Sequence, residues 1–310
     1  MSDHPIAARW RAIGVGAGPA GRRRAALIPY LTAGFPTPAR SCEALRLLEA
    51  AGADFIEVGV PFSDPLADGP TIQRSTQTAL EQGMTVPRVL EQIAQAALAV
   101  PVVIMSYVNP VLAYGLERFL ADAAAAGASG LVLTDLPAGA DPDAEAKVAG
   151  SPLALIRLIA PTTPPERLVR AVAGARGFLY LIARLGVTGA RDHVPPDLAA
   201  HVARVRAASA LPVAVGFGIS TPAQARAAAE LADGVVVGSA LVDALAAGGL
   251  GALERVVREL AAAVAGGTGG TGSAGRDAAP EPGDRGRRRP HGRGRPGGPV
   301  RRAPRGGAGA

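Results

Sequence analysis

Cysteine, lysine and histidine are scarce in this 310-residue chain, and each scarcity removes a class of chemistry. Cys42 is the only cysteine, so no intrachain disulfide and no cysteine metal cluster can form. Lys147 is the only lysine among 32 basic side chains. It lies in the polar stretch DPDAEAKVAG, which reads as an outer helix and not as a strand where a Schiff-base lysine would have to stand. The histidines His4, His193, His201 and His291 are scattered, two of them toward the termini, which does not suit metal-assisted bond cleavage. No run of about 18 uncharged apolar residues occurs, so no spanning helix is expected. The opening MSDHPIAARWRAIG has no apolar centre of the kind a secretory signal carries. The expectation is a cytoplasmic enzyme with neither cofactor nor metal.

Acidic charge is missing from the C-terminal end. From Gly266 onward ten arginines face only Asp277, Glu281 and Asp284, a net of +7, so residues 1–265 carry −1 of the chain's +6. That end is built of Gly, Pro and Arg, with almost nothing that can form a core, and reads as a disordered tail over 266–310. Arginine–glycine tracts can hold phosphates, but no aromatic residue is present there for a base to stack on. A tail dispensable for catalysis is the favoured reading, with nucleic-acid binding the weaker one.

What is present is alternation. Eight short apolar runs (ALIPYL, DFIEVGV, PVVIMSY, GLVLTDL, LALIRLI, FLYLIA, LPVAVGF and GVVVGSA) are separated by Ala- and Leu-rich stretches of helical spacing. Several of those stretches begin near Pro or Thr and stop at Gly. Eight strands alternating with helices predict a (β/α)8 TIM barrel over 25–265, a single α/β domain after a lead-in over 1–24. An open doubly wound sheet is the rival arrangement. The barrel locates chemistry at the C-terminal strand ends. GAGPAG, Gly16 to Gly21, matches the dinucleotide fingerprint, but it follows no strand and precedes one, so it is set aside as a flexible lead-in.

Glycine-rich turns follow the sixth, seventh and eighth runs: RLGVTGA, GFGIS and VVVGSALV. Ser239 would begin a short helix whose first amides lack intrahelical partners. Turns after strands seven and eight are the recurrent phosphate site of such barrels. A phosphate monoester held by Gly189, Gly218, Gly238 and Ser239 is therefore expected.

In DFIEVGV, alternation puts Phe55, Glu57 and Gly59 on one face and Ile56 and Val58 on the other. Glu57 then points into the barrel near the C-terminal end of strand two. A charge there is costly unless functional, and desolvation would poise it for proton exchange near neutral pH. The loop after it holds Pro61, Pro65 and Pro70 with Asp64 and Asp68. Asp64 fits a turn and Asp68 fits either a reacting group or a helix cap, so spacing alone does not choose between the aspartates. Without a placed lysine or a histidine cluster, acid–base catalysis by Glu57 and one aspartate remains, suited to isomerisation or retro-aldol cleavage.

PYLTAGFP, FIEVGVPFSDPLADGPTIQ, YVNP, APTTPPERL, RLGVTGA, GFGIST and ADGVVVGSALV occur in the order of the tryptophan synthase alpha subunit family, which the chain resembles from about Ala25 to Val264. The resemblance implies a lyase that splits indole-3-glycerol phosphate into indole and glyceraldehyde 3-phosphate. It implies that Glu57 protonates indole C3 and helps remove the side-chain hydroxyl proton, and that Asp68 holds the indole N–H. Tyr180 would lie near the reacting centre, and Thr188 of the lid RLGVTGARDHVPP would meet Asp68 on closure. It further implies docking on a pyridoxal-phosphate-dependent beta subunit in an alpha2beta2 complex, with Asp64 and Asn109 at the contact. Two positions depart from the family: Ala183 where Ser is usual, and Arg157 where an apolar residue is usual, inside a strand and facing either the mouth or a helix. The alternatives are a free-standing indole-releasing lyase and a non-catalytic phosphate- or RNA-binding barrel.

Overall fold

Each of the eight apolar runs is a strand in the computed structural model, which describes residues 4–15, 24–183, 195–216 and 218–266. The strands are β1 (Ala26–Thr32), β2 (Ile56–Gly59), β3 (Val102–Ser106), β4 (Ala128–Leu133), β5 (Ala154–Ile159), β6 (Leu179–Ile182), β7 (Val213–Gly216) and β8 (Gly234–Val237). Every neighbouring pair is parallel, and β8 pairs with β1 to close the barrel in sequence order. Parallel strands covered on both faces need apolar side chains throughout, which is why they read as unbroken runs. The open doubly wound sheet is thereby excluded: there is no free edge and no reversal of strand order.

Eleven helices are found among the described residues. α1 (Pro5–Ala12) precedes the barrel, α2 (Pro38–Ala50) follows β1, and α3 (Pro70–Glu81) and α4 (Val86–Ala96) follow β2. α5 (Val108–Tyr114) and α6 (Leu116–Ala125) follow β3, and α7 (Pro142–Gly150) and α8 (Pro165–Ala171) follow β4 and β5. α9 (Leu198–Ala208), α10 (Pro222–Leu231) and α11 (Ser239–Ala265) complete the ring. The local starts are chemical. Thr221 Oγ1 accepts from the Gln224 amide, and the Gln224 side chain accepts in return from the Thr221 amide, a capping box that starts α10 at Pro222. Gly248 and Gly249 leave helical geometry, so α11 begins as the short helix expected at Ser239 and then turns into a second segment.

Part of the lead-in is built into the molecule. Ile6 and Trp10 of α1 are buried, and the Trp10 ring lies 4.7 Å from Phe55 and 5.7 Å from Phe178, both at the entry ends of their strands. These rings fill the barrel floor. Asp54, fully buried beside them, accepts from Arg9 at 2.6 Å, from both terminal nitrogens of Arg24 and from the Leu27 amide. A buried carboxylate with three partners is satisfied where a lone one would be expelled. The hydrogen bond to Asp54 raises the pKa of the Arg24 guanidinium above its ordinary value. The GAGPAG segment falls outside the described residues apart from its flanks.

Arg157 on β5 pairs with the helix layer, and its side chain also borders the cavity at the mouth. Register sets it opposite Leu179, one position out of phase with Leu158 and Tyr180. Its guanidinium pairs with Glu145 of α7 and reaches the Leu136 carbonyl. Lys147 is on α7 as expected, half exposed and 3.0 Å from Glu117.

Candidate active site

A cavity of about 990 Å³ opens at the C-terminal ends of the strands, lined by Tyr30, Glu57, Asp68, Tyr180, Gly218, Gly238 and Ser239, among others. Strand alternation places Glu57 there, with only 2% of its surface exposed. It stands directly opposite Tyr30 in the β1–β2 register. Two glycines make room for the phenols around it. A Cβ on Gly59 would come within 2.1 Å of the Tyr30 hydroxyl, and one on Gly216 within 2.5 Å of the Tyr180 hydroxyl. Burial first, and the neighbouring Asp68 charge second, push the Glu57 carboxyl up to about 8. The cause is the poor solvation of an anion in a closed barrel. Burial likewise lifts the Tyr180 phenol well above its ordinary range, with Glu57 adding to the effect.

Asp68 reaches the same cavity from the proline-rich loop between β2 and α3. Two roles were open for it, and helix capping is not the one observed. α3 starts at Pro70 with Gly69 in the cap position and no side-chain cap bond. The Asp68 backbone is fixed instead, its amide donating to the Pro65 carbonyl at 3.0 Å and its carbonyl accepting from Gln73 Nε2 at 2.9 Å. Burial pushes its carboxyl up to about 6, and a hydrogen bond from Tyr107 works against that rise. Two carboxylates facing one cavity thus differ in acidity, with Glu57 held further toward its neutral form than Asp68.

The far side of the cavity is made of backbone. α11 begins at Ser239, and the amides of Leu241 and Val242 donate to the Gly238 carbonyl. The amides of Ser239 and Ala240 therefore face the mouth without a partner among the described residues, which suits an anion. Gly218 adopts φ +87°, a conformation open to glycine, at the turn after β7. Thr71 and Arg74 of α3 both bind Asp243 of α11, at 3.2 and 3.3 Å, joining the Asp68 side of the mouth to this helix start. Thr188, Gly189 and most of the lid sequence lie outside the described residues.

Asp64 and Asn109 do not line the cavity. Asp64 is exposed and accepts from Ser63, and Asn109 is exposed in the first turn of α5. Leu66 and Leu112, beside them in sequence, are 94% and 50% exposed. Ala183 is buried at the end of β6, its amide bonded to the Gly216 carbonyl. Tyr30, which lines the cavity, and Tyr107, which packs on the loop that carries Asp68, were not singled out from sequence. Tyr30 was detectable, because it shares a face with Thr32 in an apolar strand and points inward by alternation. Tyr107 was not, because its contacts are with the loop after the neighbouring strand β2, far away in the chain.

A closed parallel barrel with an acid pair of unequal strength and a free helix start at its C-terminal mouth is the arrangement of an acid–base barrel enzyme. The family model described as "Tryptophan synthase alpha chain" matches residues 19–266, and the chain belongs to that family. The tryptophan synthase alpha chain of Chloroflexus aggregans is 49% identical over 225 residues, covering 72% of this chain and 84% of its own. That of Nitratidesulfovibrio vulgaris is 47% identical over 228 residues, covering 73% and 89%. Among solved structures, tryptophan synthase from M. tuberculosis in its aminoacrylate-bound form superposes with a TM-score of 0.75 at 40% identity, covering 84% of this chain and all of that one. The alpha subunit from Legionella pneumophila superposes at 0.76 with 33% identity, covering 85% and 99%.

Proposed function

We propose that Glu57 and Asp68 carry out the family's reaction, the retro-aldol cleavage of indole-3-glycerol phosphate to indole and glyceraldehyde 3-phosphate. The chain is a lyase of tryptophan biosynthesis that works with a beta subunit. The observation that carries the residue assignment is geometric: Glu57, buried on β2, and Asp68, on the loop that follows it, line one cavity, where burial raises the Glu57 carboxyl further than that of Asp68.

The steps follow from that inequality. Asp68 accepts the indole N–H and stabilises positive charge on the ring nitrogen. Glu57 gives its proton to C3, turning the ring into an indolenine cation. The Glu57 carboxylate then takes the proton of the adjacent side-chain hydroxyl. The bond from C3 to that carbon breaks, its electron pair returns to the ring, and the hydroxyl carbon leaves as an aldehyde. Glu57 ends protonated, as it began. The amides of Ser239 and Ala240, with Gly218, Gly238 and Gly189, hold the phosphate, so binding energy distant from the reacting carbon orients it. Tyr180 packs beside the reacting centre, and Thr188 closes on Asp68 with the lid and excludes water.

Asp64 and Asn109 form the surface that docks on the beta subunit in an alpha2beta2 complex; both are exposed, and the neighbours Leu66 and Leu112 are exposed apolar residues of the kind a contact covers. The described residues contain no helix long and apolar enough to cross a membrane, and we place the enzyme in the cytoplasm. No nucleic-acid partner is assigned to the arginine-rich end.

Indole release from indole-3-glycerol phosphate tests the assignment. Glu57→Gln keeps the shape but cannot donate to C3, and turnover is expected to fall at least about 1,000-fold with substrate still bound. Asp68→Asn loses the anionic acceptor and is expected to lose at least about 100-fold. Near-normal turnover in Glu57→Gln rules out its role as the acid.

A further inference from the structure

We propose that Tyr107 is a positioning residue for this reaction: its phenol clamps the loop that carries Asp68 and holds that carboxylate in place against the cavity. The inference rests on Asp68 being the acceptor of the indole N–H, and it adds a residue that does not itself touch the reacting atoms.

Three contacts made by one side chain converge on one loop. The Tyr107 ring lies 5.2 Å from the ring of Phe62, where the loop leaves β2. Its oxygen accepts from the Ala67 amide at 2.8 Å. Its own hydrogen is thereby left over, and the phenol acts electrostatically on the carboxylate of Asp68, the residue after Ala67, favouring its anion. Tyr107 is itself held firmly. It is 6% exposed and directly follows β3. Val108, the next residue, donates its amide to Asp135 at 2.7 Å. A phenylalanine would pack on Phe62 equally well, so the hydroxyl is what needs explaining. A buried hydroxyl costs stability unless bonded, and this one is bonded to the backbone of the reactive loop at Ala67, the residue before Asp68.

The consequence for Asp68 has a definite sign. Burial favours its neutral form, and the Tyr107 donor favours its anion. The titratable groups facing it are Glu57 from β2, Tyr30 from β1, Tyr180 from β6 and Tyr107 from the end of β3. With Asp135, these are acids or phenols, so removal of the phenolic donor leaves no compensating cation among them. The Asp68 carboxyl then rises above about 6, and protonation disables it at a higher pH than before.

Tyr107→Phe in the full chain tests this, with kcat and kcat/KM for indole release measured from pH 5.5 to 9. We expect a loss of about fivefold near pH 6 that shrinks toward pH 8, and an acidic limb displaced upward by about one pH unit. The substrate phosphate titrates identically with both enzymes and cancels in the comparison. Glycerol 3-phosphate, a probe without the ring, should bind the variant as it binds the parent. An unchanged acidic limb, a loss equal at every pH, or lost glycerol 3-phosphate binding overturns the proposal, because a purely structural tyrosine gives one of those results. Asp68→Asn separates the two levels. If that variant turns over normally, the acceptor role fails. If it is crippled while Tyr107→Phe is unaffected, only the clamp fails.

Discussion

Glu57 is kept neutral by the same burial that makes a carboxylate expensive to place inside a barrel, and that coupling sets the working pH. In the proposed mechanism, Asp68 protonated below about 6 would no longer accept the indole N–H, and Glu57 ionised above about 8 would lack the proton for C3. The plot of kcat/KM against pH is therefore expected to be a bell with limbs near those two values. The groups interact, so the limbs belong to the pair and not to either residue alone. A flat profile from pH 5.5 to 8.5 would contradict the assignment.

At the scale of elements, the chemistry depends on a barrel sealed at its other end. α1 contributes Trp10 to a cluster with Phe55 and Phe178, and Phe55 is two residues before Glu57 on the same face of the strand. Arg9 and Arg24 tie the chain on either side of residues 16–23 to buried Asp54. Trp10→Ala leaves a cavity in that floor and is expected to cost about 3–5 kcal/mol of stability, read as a lower urea midpoint. A loss under 1 kcal/mol would show that the helix only rests on the barrel. The elements at the mouth are joined differently: α3 and α11 meet through Thr71, Arg74 and Asp243, an exposed contact that contributes little energy but sets the spacing of the loop and the helix start.

For the whole molecule, the charge separation between residues 1–265 and 266–310 makes catalysis and basicity separable. Truncation after Ala265 is expected to leave indole release, and its stimulation by a beta subunit, unchanged within about twofold. Any affinity for nucleic acid should disappear with the removed arginines and should fall steeply with salt beforehand. Loss of indole release on truncation would assign the tail a part in the reaction.

The barrel was readable because its signal is local and repeated. Eight apolar runs, each bounded by turn residues, leave few ways to bury both faces of every strand. Glu57 was readable for the same reason, since a two-residue period decides which side of β2 it occupies. The sequence did not decide between capping and catalysis for Asp68, because both need a short acidic side chain before a helix, and only the folded loop showed Gly69 in the cap position. Nor did it reveal Tyr107 over Asp68, the Arg157–Glu145 pair or the aromatic floor from α1. Each of those joins residues far apart in the chain, and a contact of that kind exists only once closure of the barrel has set the distance.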